Sequence, residues 1–228
     1  MTRRSIVVPA YDEAARLGST LDQIAAYHAG IDVEVIVVDD GSRDATAAIA
    51  AAAGARVLRH AVNRGKGAAV RTGVLAATGD RVLVCDADLA TPIEAVARLD
   101  AALDAGADLA IGSRHLAESR IEVPQPWPRR VLGLGFRGLV RYGLGIDARD
   151  VMCGFKLMTR AAGRDLFTRA QVDRWAFDVE ILYLARDRWR VAEVAVPWRH
   201  VDGSRVALGS AGPRAALDLI AIRRRGRG

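Results

Sequence analysis

Short apolar runs rich in β-branched residues alternate with helical patterns through the first half of the chain, and that alternation leaves few folds open. Residues 5–8 form one such run, ended by Pro9. Behind Glu13, Leu17, Leu21, Ile24 and Ala25 recur at the spacing of a helix face. Residues 34–38 make a β-branched run, and Asp44 or Ser42 is placed to cap the Ala-rich helix that Gly54 stops. Residues 56–58 read as a strand, 64–77 as loop then helix, 82–85 as a strand, 92–103 as a helix and 108–111 as a strand. Strands separated by single helices form βαβ units, so the expected fold is α/β, with a mainly parallel twisted sheet flanked by helices. A length of 228 residues suits one large domain with an elaborated end.

The loops that follow these strands carry the chemistry. They are Pro9-Ala10-Tyr11-Asp12-Glu13, Asp39-Asp40-Gly41-Ser42, Asn63-Arg64-Gly65-Lys66-Gly67, Asp86-Ala87-Asp88 and Gly112-Ser113-Arg114. In a parallel sheet the carboxyl ends of the strands share one edge, where ligands bind, so these polar loops converge. Two carboxylates as close as Asp86 and Asp88 repel unless a cation lies between them, and a hard cation such as Mg²⁺ or Mn²⁺ keeps phosphate oxygens in its shell. Glycines beside Lys66 let backbone amides approach a phosphate, with the ammonium adding charge. Asp40 can accept from a base N–H, and Tyr11 offers a ring and a hydroxyl. Asp39 reads as structural. Each motif alone is weak: Asp-X-Asp also occurs in solvated helix-capping turns, and Gly65-Lys66-Gly67 lacks Walker spacing.

The net charge of +6 suits an anionic partner. Aromatics are only 5%, and no zinc-finger, helix-turn-helix or aromatic RNA-binding pattern is present, so nucleic acid is not expected. Cys85 and Cys153 lack metal-like spacing and read as reduced thiols. No apolar run reaches the length of about eighteen residues that a membrane span needs. Past the proline-rich stretch 122–128, residues 129–144 pattern as a basic helix with a broad apolar face, and 214–227 as a second such element. Both suit either a membrane surface or packing on the domain with arginines outside.

Taken in order, these motifs resemble the family 2 glycosyltransferases of the GT-A fold, and within them the polyprenyl-phosphate sugar transferases, which include dolichyl-phosphate glucosyltransferases and mannose synthases. Further matching motifs are Asp150-Val-Met-Cys-Gly-Phe-Lys156, Phe177-Asp-Val-Glu180 and Glu193-Val-Ala-Val-Pro-Trp198 before Gly203-Ser204-Arg205. The resemblance implies that residues 1–114 bind the nucleotide sugar and 115–228 face the acceptor, within one domain. It implies that Pro9, Ala10, Tyr11, Glu13, Asp40, Lys66, Asp86 and Ala87 hold the nucleotide, and that Asp86 and Asp88 bind Mg²⁺ or Mn²⁺. Arg114, with Arg129 or Arg130, would meet the acceptor phosphate through the planar fork of arginine. Residues 150–156 would form the acceptor-side loop, ordered by Glu180, with Asp88, Arg114, Asp150 and Lys156 serving catalysis.

Three departures matter. Asp12 stands where the family usually has Asn, which adds an acid to the nucleotide loop. Ala90-Thr91 replaces the Gln-His of mannose-type members and leans toward UDP-glucose over GDP-mannose. Many bacterial members carry C-terminal spans, and no such run occurs here. The implied reaction is an inverting transfer of a hexose to a polyprenyl phosphate at the cytoplasmic face of an anionic membrane. A neutral hydroxyl acceptor would instead need a carboxylate base, for which Asp150 and Asp178 are the candidates, Asp178 reading better as a helix cap. His200 reads as a surface residue rather than a metal ligand. The other readings are transfer to a soluble or saccharide acceptor, and a nucleotide-sugar or nucleic-acid binding module without turnover.

Overall fold

The computed structural model describes residues 3–123, 127–201 and 208–225, with the side chains of 127–132 and 208–216 outside that description. The first half supplies β1 (Arg4–Ala10), α1 (Ala14–Tyr27), β2 (Val33–Asp39), α2 (Thr46–Ala52), β3 (Arg56–Arg59), α3 (Lys66–Ala76) and β4 (Arg81–Val84). A 3-10 turn, Ile93–Ala95, leads into α4 (Val96–Asp104) and then β5 (Leu109–Ser113). The second half adds β6 (Arg120–Val123), α5 (Trp127–Leu144), β7 (Lys156–Thr159), α6 (Arg160–Arg169), α7 (Phe177–Ala185), β8 (Val191–Ala195), β9 (Pro197–Arg199) and α8 (Leu208–Arg225).

Seven strands form the main sheet in the order β3-β2-β1-β4-β7-β5-β8, and β6 pairs β9 in a small second sheet. Both faces of the main sheet are covered, as the continuous apolar runs require. Successive β1 side chains point to opposite faces. Ile6 and Val8 join Leu17, Leu21 and Ile24 of α1 and Leu99 of α4. Val7 joins Val70 and Val74 of α3, Phe167 of α6 and Val179 of α7.

The sheet departs from the expected pattern at two places. β7 is antiparallel to both its neighbours, pairing Leu157 with Leu83 of β4 and Ala110 of β5. A four-residue strand that opens on a lysine has no periodicity to announce it; it exists because β4 and β5 leave a gap with unpaired backbone on both sides. It also threads the second half of the chain into the middle of the first, so residue 114 does not divide the sheet. The other difference is Pro9, which continues β1 rather than ending it. The β1–β4 pairing stops at Val7–Val84, whereas the β1–β2 pairing runs to Ala10–Asp39. Pro9 therefore sits where β1 has become an edge, where a missing N–H is tolerated.

Ala45 and Glu13 hold the N-cap positions of α2 and α1, but Asp44 fastens the first amide of both helices. Its Oδ1 accepts from Thr46 N at the start of α2, and its Oδ2 from Ala14 N at the start of α1. The two basic segments form helices α5 and α8. Each buries one apolar strip, Val140 and Leu144 in α5 and Leu219 and Ile222 in α8. Each also exposes another, Leu134, Leu139 and Tyr142 in α5 and Leu217 and Ile220 in α8. Domain packing and an apolar outer face thus coexist on the same helices. Among the described residues, no helix is long and apolar enough to cross a membrane.

Candidate active site

Because β7 runs against its neighbours, its first residue, Lys156, shares an edge with the last residues of β1, β2, β4 and β5. The turn after β1 is built on Asp12, whose φ of 51° is the left-handed conformation that Asp and Asn tolerate best. That accounts for an acid where Asn is usual. Asp12 N donates to Ser42 Oγ, and Asp12 Oδ1 accepts from Arg43 N, so the extra carboxylate joins the first two loops. Glu13 N donates to Thr46 Oγ1, and the Glu13 side chain pairs with Arg16 at 2.7 Å. Tyr11 is half-buried in this turn.

Asp39 is buried, accepts from Ser42 N and pairs with Arg59, as a structural residue should. Asp40 is buried too. Its Oδ1 accepts from Arg64 N at 2.9 Å and lies 2.6 Å from His60 Nδ1, while Oδ2 accepts from Gly65 N at 2.7 Å. Asp40 therefore fastens the 63–67 loop and keeps only the second lone pair of Oδ2 for a base N–H. His60 is held from its other side by Thr72 Oγ1 at 3.0 Å. Nothing in the spacing singles out His60, since its partners lie 20 and 12 residues away.

Asp86 and Asp88 follow β4. Asp88 Oδ1 accepts from Ala90 N, which sets the turn, and Leu89 takes a φ of 41°. Burial, then repulsion from Asp86, push the Asp88 carboxyl above its ordinary range. Lys66 Nζ sits 2.5 Å from Asp86 Oδ1. Burial works against the Lys66 ammonium, yet Asp86, Asp178 and Asp88 outweigh it and hold its pKa above the usual lysine value. Gly154 abuts the same carboxylate: a Cβ there would lie 2.2 Å from Asp86 Oδ2. Residues 150–156 thus reach Asp86, and a side chain at position 154 would have to displace its carboxylate.

Lys156 is buried, and its ammonium donates to Asp178 Oδ1 at 2.5 Å and to Cys153 O. Asp178 lies inside α7, at its second residue and with Ala176 as the cap, so the capping reading is corrected. Its carboxylate is drawn to a buried cation rather than to the helix's own amides. Burial pushes the Asp178 carboxyl up, against the pull of Lys156 and Lys66. Arg114 grips Asp150 through Nε at 2.6 Å and Nη2 at 2.7 Å, and its backbone N–H donates to the same carboxylate. Burial would raise Asp150, but Arg114 holds it below the usual carboxylate range. Glu193 of β8 accepts from Arg149 N and Asp150 N, and the Trp198 ring lies 5.3 Å from the Arg114 guanidinium.

Asp150 and Lys156 are both buried, and each has its charge engaged by a protein partner, Arg114 and Asp178 respectively. Glu180 orders a different loop from the one expected: its Oε2 accepts from Gln171 N and Val172 N, and Arg225 of α8 pairs with Oε1. Arg129 and Arg130 lie on α5, but their side chains fall outside the described residues, as do Gly203, Ser204, Arg205 and the end of the basic tail. An open cleft of about 600 Å³ beside α5 is lined by His115, Leu134, Arg137, Arg141, Tyr142 and Arg149. Burial pushes the Cys153 thiol up to about 11 and Cys85 higher still, which removes both as nucleophiles. Among the described residues no third His, Cys, Asp or Glu joins Asp86 and Asp88, and His200 lies half-buried near Trp198 instead.

A mostly parallel sheet with one reversed strand, and an acidic pair faced by lysine at its carboxyl edge, defines a GT-A glycosyltransferase. A solved glucosyl-3-phosphoglycerate synthase from Mycobacterium tuberculosis, in complex with Mn²⁺, UDP and glucosyl-3-phosphoglycerate, shares this fold. It has a TM-score of 0.76 at 24% identity, covering 99% of this chain and 80% of that one. The chain belongs to glycosyl transferase family 2, whose model matches residues 5–167. It is 44% identical to the dolichyl-phosphate beta-glucosyltransferase of Drosophila melanogaster, over 89% of this chain and 68% of the relative. The Homo sapiens protein of the same name is 36% identical, over 97% of this chain and 75% of the relative.

Proposed function

We propose that this enzyme transfers glucose from UDP-glucose to a polyprenyl phosphate, with inversion at the anomeric carbon. The observation that carries the reading is the state of the two candidate bases. Asp150 is gripped by Arg114, and Asp178, its Oδ1 on Lys156, is buried out of reach of an acceptor hydroxyl. A neutral sugar hydroxyl would have neither to take its proton, whereas a phosphate oxygen is already ionised near neutral pH. The similarity to dolichyl-phosphate glucosyltransferases supports the same acceptor class.

Within this reading Asp86 and Asp88 hold a divalent cation. They fit one, because both are oxygen donors and the Asp86 charge, with burial, disfavours the charge of Asp88. A bound Mg²⁺ or Mn²⁺ would supply charge neutralisation for the departing diphosphate. Lys66 adds a second positive charge beside the aspartates. Arg114, fixed by Asp150 and by the Trp198 ring, keeps Nη1 for the acceptor phosphate and orients the attacking oxygen. Asp40 and the 63–67 loop receive the nucleotide. The exposed Leu134, Leu139, Tyr142, Leu217 and Ile220, with the arginines between them, support peripheral attachment to an anionic membrane surface.

The test is a donor panel of UDP-glucose and GDP-mannose with polyprenyl phosphate and Mg²⁺ or Mn²⁺. Lipid-linked glucose should form from UDP-glucose, and Asp88→Ala should abolish it while circular dichroism stays unchanged. Turnover with a water-soluble acceptor alone would select the soluble-acceptor reading, and retained activity in Asp88→Ala would remove the metal assignment. Co-sedimentation with anionic liposomes at low salt tests the membrane surface; protein left in the supernatant would exclude it.

A further inference from the structure

The glycines of Gly65-Lys66-Gly67 are read from sequence as room for a phosphate. The structure shows a second occupant. A Cβ on Gly65, whose φ is 108°, would lie 2.5 Å from Asp173 O. One on Gly67 would lie 2.4 Å from Val172 O, 2.7 Å from Phe177 Cβ and 2.9 Å from Arg174 O. The segment between α6 and α7 therefore sits directly on these glycines, and neither tolerates a side chain while it does.

That segment is fastened along its length. Asp173 O accepts from Ala68 N at 3.0 Å, Arg71 pairs with Asp173 and donates to Ala170 O, and Glu180 takes the amides of Gln171 and Val172. Arg174 O accepts from Phe177 N, which closes the turn. At the tip of this held turn stands Trp175, 40% exposed, although a tryptophan normally hides most of its surface. Its ring centroid lies 4.9 Å from Lys66 Nζ, which itself contacts Asp86. A rigid aromatic surface thus stands next to the charged cluster, open to solvent on the remaining side.

We propose that Trp175 is a donor-sugar specificity residue, the wall against which the hexose of the nucleotide sugar packs. Resting on the donor reading above, it adds a contact to the sugar rather than to the nucleotide. A pyranose presents C–H groups on one face, and an aromatic ring with fixed geometry receives them at little entropic cost. Lys66 serves as the hinge of the arrangement: its ammonium touches the ring and the aspartate together, so ring and diphosphate site keep a set separation.

Calorimetric titration with UDP and with UDP-glucose, in the presence of Mn²⁺, tests this. Trp175→Ala should weaken UDP-glucose roughly tenfold, the size of one aromatic contact, and leave UDP within about twofold. Trp175→Phe keeps a ring and should recover most of the lost affinity. The tryptophan fluorescence change on adding UDP-glucose should vanish in both variants, with none on adding UDP to the wild type. Equal weakening of both ligands would reduce Trp175 to a structural residue and overturn the assignment, as would no change in either. Wild-type protein that bound neither ligand would overturn the donor reading itself.

Discussion

Asp178→Asn should destabilise the enzyme severely, because it leaves the Lys156 ammonium buried with no counter-charge. Lys156 is 2% exposed and Asp178 1% exposed, so solvent cannot take over from the lost partner. With Asp178 neutral, Lys156 keeps only the carbonyl of Cys153 and an amide oxygen. Removing one partner of such a pair costs about 3–5 kcal/mol, against a total domain stability of about 5–15 kcal/mol. Replacing both partners with apolar residues, Lys156→Met with Asp178→Leu, avoids the stranded charge and should return to within about 2 kcal/mol of wild type. Urea denaturation followed by circular dichroism measures all three proteins. The double variant should be more stable than Asp178→Asn. If Asp178→Asn alone cost under about 1 kcal/mol, or if the double variant were the least stable, the pair would not be the buried, mutually dependent unit described.

Gly154→Ala drives a Cβ into the Asp86 carboxylate and should lower kcat/KM about a hundredfold, with the thermal midpoint nearly unchanged; steady-state kinetics and a melting curve together would expose the contrary case. His60→Ala removes the group that holds Asp40 Oδ1, so donor KM should rise roughly tenfold while kcat moves less, and a kcat effect alone would contradict the positioning role. Glu34 pairs acid stability with sequence-distant donors. Burial would raise its carboxyl, but hydrogen bonds from Ser5, Thr78 and Arg56 bring it down to about 2 from 4.5. The depressed value means that the stabilisation is complete above pH 4.5 and is lost as pH falls toward 2, amounting to about 3 kcal/mol at neutral pH. The stability gap between wild type and Glu34→Gln should therefore close between pH 5 and pH 2, and a gap independent of pH would refute it.

The local features of the fold were legible because their causes are local. Continuous β-branched runs such as residues 34–38 and the helical spacing of Leu17, Leu21 and Ile24 state their own secondary structure, and parallel topology then gathers the loops after them at one edge. The same logic brought Asp86, Asp88 and Lys66 together at that edge. It failed where a residue's role depends on a partner far along the chain. His60 supports Asp40 across 20 residues, Lys156 meets Asp178 across 22, and Asp150 is claimed by Arg114 across 36. The resemblance implies that Glu180 orders residues 150–156, yet its carboxylate turns to residues 171 and 172.

By itself, the sequence determined the α/β class, the polar edge and the family to which the chain belongs, since each rests on patterns a few residues long. The tertiary structure alone decided which charges remain available to a substrate. Whether Asp150 is a base or a clamp, and whether Gly65 and Gly67 seat a phosphate, a Trp-bearing turn or both, depends on what burial brings against them. Burial and proximity set the energy of a charge, and neither is written in its neighbours along the chain.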